Sequence, residues 1–120
     1  MNHPSNVVSI HPYFKIHPGK LEAVQALLPA FVAKTATEEK MLYYDFTLNG
    51  DELFCREGYV GARGVLAHLD NVGALLREML TMVDLQRLEL HGPANELEIL
   101  KAPLAEMKPS WFVLQCEVTR

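Results

Sequence analysis

Phe54-Cys55-Arg56-Glu57-Gly58-Tyr59-Val60, running on through Gly61 to Asn71 with His68 inside it, is the stretch that decides how this chain folds. It reads as a strand that stops at Gly58 and Gly61 and passes into a helix. It also holds Cys55, Arg56, Glu57, Tyr59 and His68 within a few turns of chain, the densest set of chemically capable side chains present. Just before it stands Asn49-Gly50-Asp51 between two apolar runs, a strong hairpin signal. A strand over Glu52 to Val60 is therefore expected to pair antiparallel with one over Lys40 to Leu48. In the latter, Met41, Tyr43, Asp45 and Thr47 alternate against Leu42, Tyr44, Phe46 and Leu48.

Downstream, Gly61 to Asp70 reads as a short helix with Ala62, Val65, Leu66 and Leu69 inward. Asn71 is placed to cap a further helix, Val72 to Val83, buried through Val72, Leu75, Leu76, Met79 and Val83. That stripe is core, not a cofactor box. A fourth strand follows, Leu85 to His91, with Leu88 and Leu90 on one face and Arg87, Glu89 and His91 on the other. Gly92-Pro93 opens another helix, with Pro93 at its first position and Ala94, Leu97 and Leu100 lining it. Pro103 and Pro109 end successive pieces, and Ser110 to Val118, with Trp111, is a last strand.

Upstream, Met1 to Ser5 is polar and expected to be loose. Val7 to Ile16 is a strand with Val8, Ile10, Phe14 and Ile16 on one face and Ser9, His11, Tyr13 and Lys15 on the other. Pro12 within it requires a bulge or a free edge, because proline cannot donate to a ladder. After the turn His17-Pro18-Gly19-Lys20, a helix runs to about Lys34 on a stripe of Leu21, Val24, Leu28, Phe31 and Val32. Pro29 is expected to kink it. Thr35 to Glu39 is a connector.

The order is β-α-β-β-α-β with an added C-terminal helix and strand, an α+β class chain. Its first four strands match the ferredoxin-like split βαβ antiparallel sheet. The 120 residues are expected to form a single domain, 1–120. The sheet face away from the helices carries His11, Tyr13, Tyr43 and Asp45, a mixed surface that suits a second subunit or a ligand pocket. An apolar fraction of 49% and a net charge of −4, from 15 acidic against 11 basic residues, argue against nucleic-acid binding. No apolar run is long enough to span a membrane, and Met1 to Asn6 does not read as a signal peptide. Cys55 and Cys116 show no metal spacing, so reduced thiols in a cytoplasmic protein are expected.

Two stretches resemble the antibiotic biosynthesis monooxygenase family. One is Tyr13-Phe14-Lys15-Ile16-His17-Pro18-Gly19-Lys20, similar to its first strand and the turn opening its first helix. The other is Arg56-Glu57-Gly58-Tyr59-Val60 with Leu66-Ala67-His68, similar to its Glu-x-Trp/Tyr strand and Ala-His helix. The likeness covers roughly Val7 to His91. It implies a dimeric α+β barrel: a homodimer whose two sheets pack face to face, with a pocket in each subunit. It further implies a cofactor-independent monooxygenase, or a related enzyme, acting on a small aromatic or quinone-like compound, with no metal or other cofactor. Two positions depart from the family: its frequent Trp is Tyr59 here, and the Asn that haem-degrading members carry on strand one is missing from Val7 to Ile16. The alternative is a non-catalytic ligand-binding or structural homodimer.

His68 and Glu57 are the catalytic candidates. A histidine titrates near neutrality and can take a phenolic proton. A mid-strand carboxylate needs a partner, and Arg87 or His68 can supply it, whereas Arg56 points to the opposite face. A hydrogen-bonded core histidine and a structural ion pair are the competing readings of the two. Tyr59, Tyr43 and Tyr13 are candidates to hold a ring, or core groups with a wet tip. His11 and Arg87 complete the candidate ligand-binding set. Cys55 is expected to be an inert buried thiol, and a His11–His17 metal pair is not expected. An enzyme should show a cavity of a few hundred cubic ångströms with His68 on its wall; a structural protein should show that space filled.

Overall fold

The computed structural model describes residues 6–118. The expectation for Met1 to Ser5 falls outside them. Strand β1 is Val7–Ile16, helix α1 Leu21–Thr35, β2 Met41–Asn49 and β3 Glu52–Val60. Helices α2, Gly61–Asn71, and α3, Gly73–Met79, lead to β4, Val83–Gly92. Helix α4, Ala94–Lys101, and a 3-10 turn, Ala105–Met107, lead to β5, Ser110–Val113. The five strands form one sheet in the order β2-β3-β1-β4-β5. The first four pair antiparallel in the ferredoxin-like order, and β5 runs parallel to β4 on the chain's own sheet.

The hairpin signal is read at one residue's remove. Asn49 pairs with Glu52, so the two loop residues are Gly50 and Asp51. Gly50 has φ +61°, the conformation a tight hairpin needs at its first loop position. Pro12 sits in a central strand, and the register with β4 shifts between Tyr13 and Phe14. The bulge is the observed alternative, and the free edge is not.

Packing corrects several expected details. In α1 the buried positions are Val24, Phe31 and Thr35, with Leu28 half-buried, whereas Leu21 and Val32 are exposed. The covered stripe steps by four, three and four residues, and those two apolar groups fall beside it. Asn71 does not cap α3. Its amide turns back to the Lys34 carbonyl and to Glu38, both at 2.9 Å. Helix α3 ends at Met79, and Val83 pairs with Ile16 as the first residue of β4. Pro93 precedes α4 in an extended conformation, its carbonyl accepting from Glu96 and Leu97.

The inward residues form two buried clusters. One gathers Val8, Ile10, Tyr59, Val65 and Leu90 with Leu97 and Leu100 of α4. The other gathers Phe14, Ile16, Val24, Phe31, Leu53 and Val72 with Met79. Burial of such side chains stabilises a fold by roughly 1.5–3 kcal/mol each before the entropy of ordering is subtracted. Helix α2 is seated by two local devices. A Glu96 carboxylate oxygen from α4 accepts from Ala62 N at 2.7 Å, occupying one of the unpaired donors at the start of α2. Gly64 lies where an added Cβ would stand 2.9 Å from Tyr59 Cβ and 3.1 Å from Lys40 Cβ. Only glycine permits that approach, and His68, one turn later on the same face, is carried down to the sheet with it.

Candidate functional site

Alternation along β3 sends Leu53, Cys55, Glu57 and Tyr59 inward, and cross-strand pairing sets Tyr44 beside Glu57 and Phe46 beside Cys55. His68 descends onto this row from α2. The buried Tyr59 hydroxyl donates to Glu57 Oε1 at 2.7 Å. His68 Nε2 stands 3.4 Å from the same oxygen, within ion-pair range but long for a hydrogen bond. The imidazole packs against two phenol rings, Tyr59 at 4.9 Å and Tyr44 at 5.1 Å between centroids. Its other nitrogen, Nδ1, meets the Glu38 carboxylate at 3.0 and 3.2 Å.

Glu57 and His68 are both buried, 5% and 3% exposed. Burial raises the Glu57 carboxyl to about 7, helped by the nearby Glu38 charge and opposed by hydrogen bonds from Tyr59 and Cys55. Burial lowers His68, although Glu38 pulls it the other way. Both shifts favour the uncharged forms, so a proton held by this pair sits on the carboxyl and not on the ring, and near neutrality the carboxyl is partly ionised. Burial also raises Tyr44 and Cys55, keeping phenol and thiol protonated. Cys55 is thus an unreactive thiol, as expected.

A cavity of about 70 Å³ opens at this polar row. Tyr44, Cys55, Glu57 and His68 form its polar end. The rest is apolar, from Ile10 and Phe14 of β1 to Met79 of α3 and Met107 of the 3-10 turn. It lies between the two buried clusters and takes wall residues from both. His68 is on the wall, as the enzyme reading requires. The sheltered volume is smaller than that reading asked for: an apolar cavity that admits benzene is ~150 Å³.

The structure divides the candidate residues between the two faces of the sheet. Glu57, His68 and Tyr59 come together on the helix-covered face, with Tyr59 behind Glu57 and not on the cavity wall. Tyr43, Tyr13, His11 and Arg87 lie on the opposite face, where His11 and Tyr43 line an open groove with Phe54, Arg56 and Glu57. There Tyr13 packs on Phe54, 4.7 Å between centroids, and His11 on His91, 4.4 Å. Arg87 pairs with Glu89, not Glu57, and Arg56 pairs with Asp45 at 3.0 Å. Burial and the neighbouring His91 lower His11. Sequence reasoning passed over Tyr44, Glu38 and Asn71. Strand alternation and the hairpin register suffice to find Tyr44. Nothing in the spacing points to Glu38, which lies 30 residues before His68. Among the described residues no group of three or more His, Cys, Asp or Glu is placed to hold a metal ion. No described helix is long and apolar enough to cross a membrane.

Solved structures share this architecture. MupZ from Pseudomonas fluorescens is 41% identical over 96% of this chain and 95% of its own, with a TM-score of 0.92. Rv0793 from Mycobacterium tuberculosis is 22% identical over 72% of this chain and 94% of its own, at 0.64. A protein described as an antibiotic biosynthesis monooxygenase is 17% identical over 69% and 92%, at 0.61. At these lower identities the likeness is one of fold. No family model matches the chain, and no curated protein does.

Proposed function

The chain belongs to one family with MupZ and has the fold of antibiotic biosynthesis monooxygenases, and on that premise we propose that it is a small cytoplasmic, single-domain enzyme that moves a proton on an apolar, aromatic or quinone-like substrate without a bound cofactor. Glu57 is the acid–base group, His68 its partner, and the Tyr44 phenol orients the substrate. One observation carries this reading: a carboxyl titrating at about 7 stands at the polar end of an otherwise apolar cavity. Acid–base catalysis works best with a group whose pKa lies near the operating pH.

A substrate hydroxyl entering the polar end meets neutral His68 or ionised Glu57 and gives up its proton there. The electron-rich anion then isomerises, or reacts with molecular oxygen, in a space from which water is largely excluded. Tyr59 holds Glu57 in place through its 2.7 Å hydrogen bond and does not touch the substrate. Tyr43, Tyr13, His11 and Arg87, on the far face, are assigned to contact with a second copy of the chain.

The test is turnover of a panel of dihydroxyaromatics and quinols, with oxygen uptake followed in parallel. Glu57→Gln should lower turnover by roughly 10²-fold or more, and His68→Ala by a similar factor. Oxygen uptake separates oxygenation from isomerisation. The small sheltered volume favours a second reading, a structural or ligand-binding homodimer without catalysis. A parent with no turnover across the panel, whether or not it binds a member of it, would establish that reading and remove the first.

A further inference from the structure

We infer that Glu38, on the turn between α1 and β2, is a positioning residue that fixes His68 with its hydrogen on Nδ1 and so aims Nε2 at Glu57. The inference rests on the functional reading above for its effect on turnover, while its geometric part stands alone. A carboxylate only accepts hydrogen bonds. With both Glu38 oxygens at 3.0 and 3.2 Å, the facing Nδ1 must be the protonated nitrogen. The neutral ring then presents a bare Nε2 toward Glu57 Oε1 at 3.4 Å. The opposite tautomer would set a lone pair against the carboxylate.

Glu38 is itself held. Asn71 at the end of α2 donates to Glu38 Oε2 and, with its second hydrogen, to the Lys34 carbonyl, each at 2.9 Å. The turn is closed by Glu38 N on the Thr35 carbonyl at 3.0 Å and Thr37 Oγ1 on the Lys34 carbonyl at 2.7 Å. One amide thus ties the turn to the helix that carries His68, so carboxylate and imidazole move as a unit. This explains why Asn71 leaves α3 without a side-chain cap.

The titratable groups packed around the ring are Glu38 from the turn, Tyr44 from β2, and Glu57 and Tyr59 from β3. Of these, Glu38 raises His68 toward its protonated form through its hydrogen bond and its charge. Removing that charge should therefore make the ring still harder to protonate.

The experiment is nitrogen-15 NMR of histidine-labelled protein, with the His68 signals assigned from the spectrum of His68→Gln. In the parent, Nδ1 should carry the hydrogen near neutrality. In Glu38→Leu, which removes the acceptor as well as the charge, the Nε2–H form should appear and imidazolium formation should move to lower pH. Glu38→Asp should restore the parent tautomer. Asn71→Ala, a milder change, should populate the Nε2–H form in part. An unchanged tautomer and titration in folded Glu38→Leu, or in Asn71→Ala should the first variant not fold, would overturn the inference. In turnover, Glu38→Leu should lower kcat about tenfold with KM held, and shift the pH profile to lower pH. A merely structural role would reduce amplitude or stability without moving that profile. A shifted tautomer in a parent with no turnover sinks the functional reading alone. A fixed tautomer alongside a Glu57→Gln rate loss sinks this inference alone.

Discussion

At the scale of single residues, Glu57 sets a dependence of stability on pH whose direction can be stated. Unfolded, the carboxyl titrates near 4.5; folded, at about 7. Between those values the folded chain keeps a proton that the unfolded chain has released. Stability therefore falls as pH rises through this window and levels off above it, a loss on the order of 3 kcal/mol. Glu57→Gln keeps an acceptor for Tyr59 and has no such loss. Its melting temperature should match that of the parent in mild acid and exceed it increasingly up to and past neutrality. A difference that stays constant with pH would show that Glu57 does not titrate in this way. Glu57 and His68 were legible in the sequence because a family motif marks both; the full burial of His68 was not, since the apolar stripe of its helix runs beside it. Glu38 was not, because its contact arises only when a turn packs against a helix far along the chain. Tyr43, Tyr13 and His11 were legible on the face away from the helices. The place of Arg87 beside them, paired with Glu89 and not Glu57, was not, since it follows from a long-range strand register.

At the scale of elements, the seating of α2 decides whether the site exists. Gly64→Ala would set a methyl group 2.9 Å from Tyr59 Cβ, with the Lys40 backbone oxygen also near at 3.4 Å, so the helix must lift. The expected cost is about 1–3 kcal/mol by denaturant titration. His68 should withdraw from Glu57, and turnover should fall further than stability alone explains. A variant as stable and active as the parent would show that the helix has slack. The cavity wall belongs to this scale too. Leu80 and Met107 lie where α3 and the 3-10 turn border the cavity, Leu80 exposed and Met107 half-buried. Met107→Ala should admit larger aromatic guests, seen as tighter binding of bulky ligands over small ones. The extent of α3 was misread because Val83 continues an apolar helical period. What ends the helix is pairing of that residue with Ile16, a long-range contact.

At the scale of the whole molecule, the open sheet face asks for a partner. Tyr43 and Phe112 are exposed there, beside stacked rings of His91 and Phe112 and the half-buried Phe54. A two-fold pairing of this surface with itself would cover it, in line with the homodimer proposed above. Phe54→Arg should then shift the sedimentation of the protein to that of a single copy while its circular dichroism stays unchanged. A parent that sediments as a single copy at high concentration would remove the homodimer. The strand order β2-β3-β1-β4 was legible from element order and one hairpin, whereas the place of β5 was not, since four residues carry little pattern. That place has a consequence of its own. Ser110–Val113 lies against Glu89–Gly92, so main-chain groups that would otherwise line a bare margin are already engaged. A protein clipped at Pro109 would uncover them, and such margins recruit extended segments from neighbouring molecules. The strand Ser110–Val113 would then serve as a guard against fibrous stacking, and its loss should announce itself as turbidity before any loss of helix.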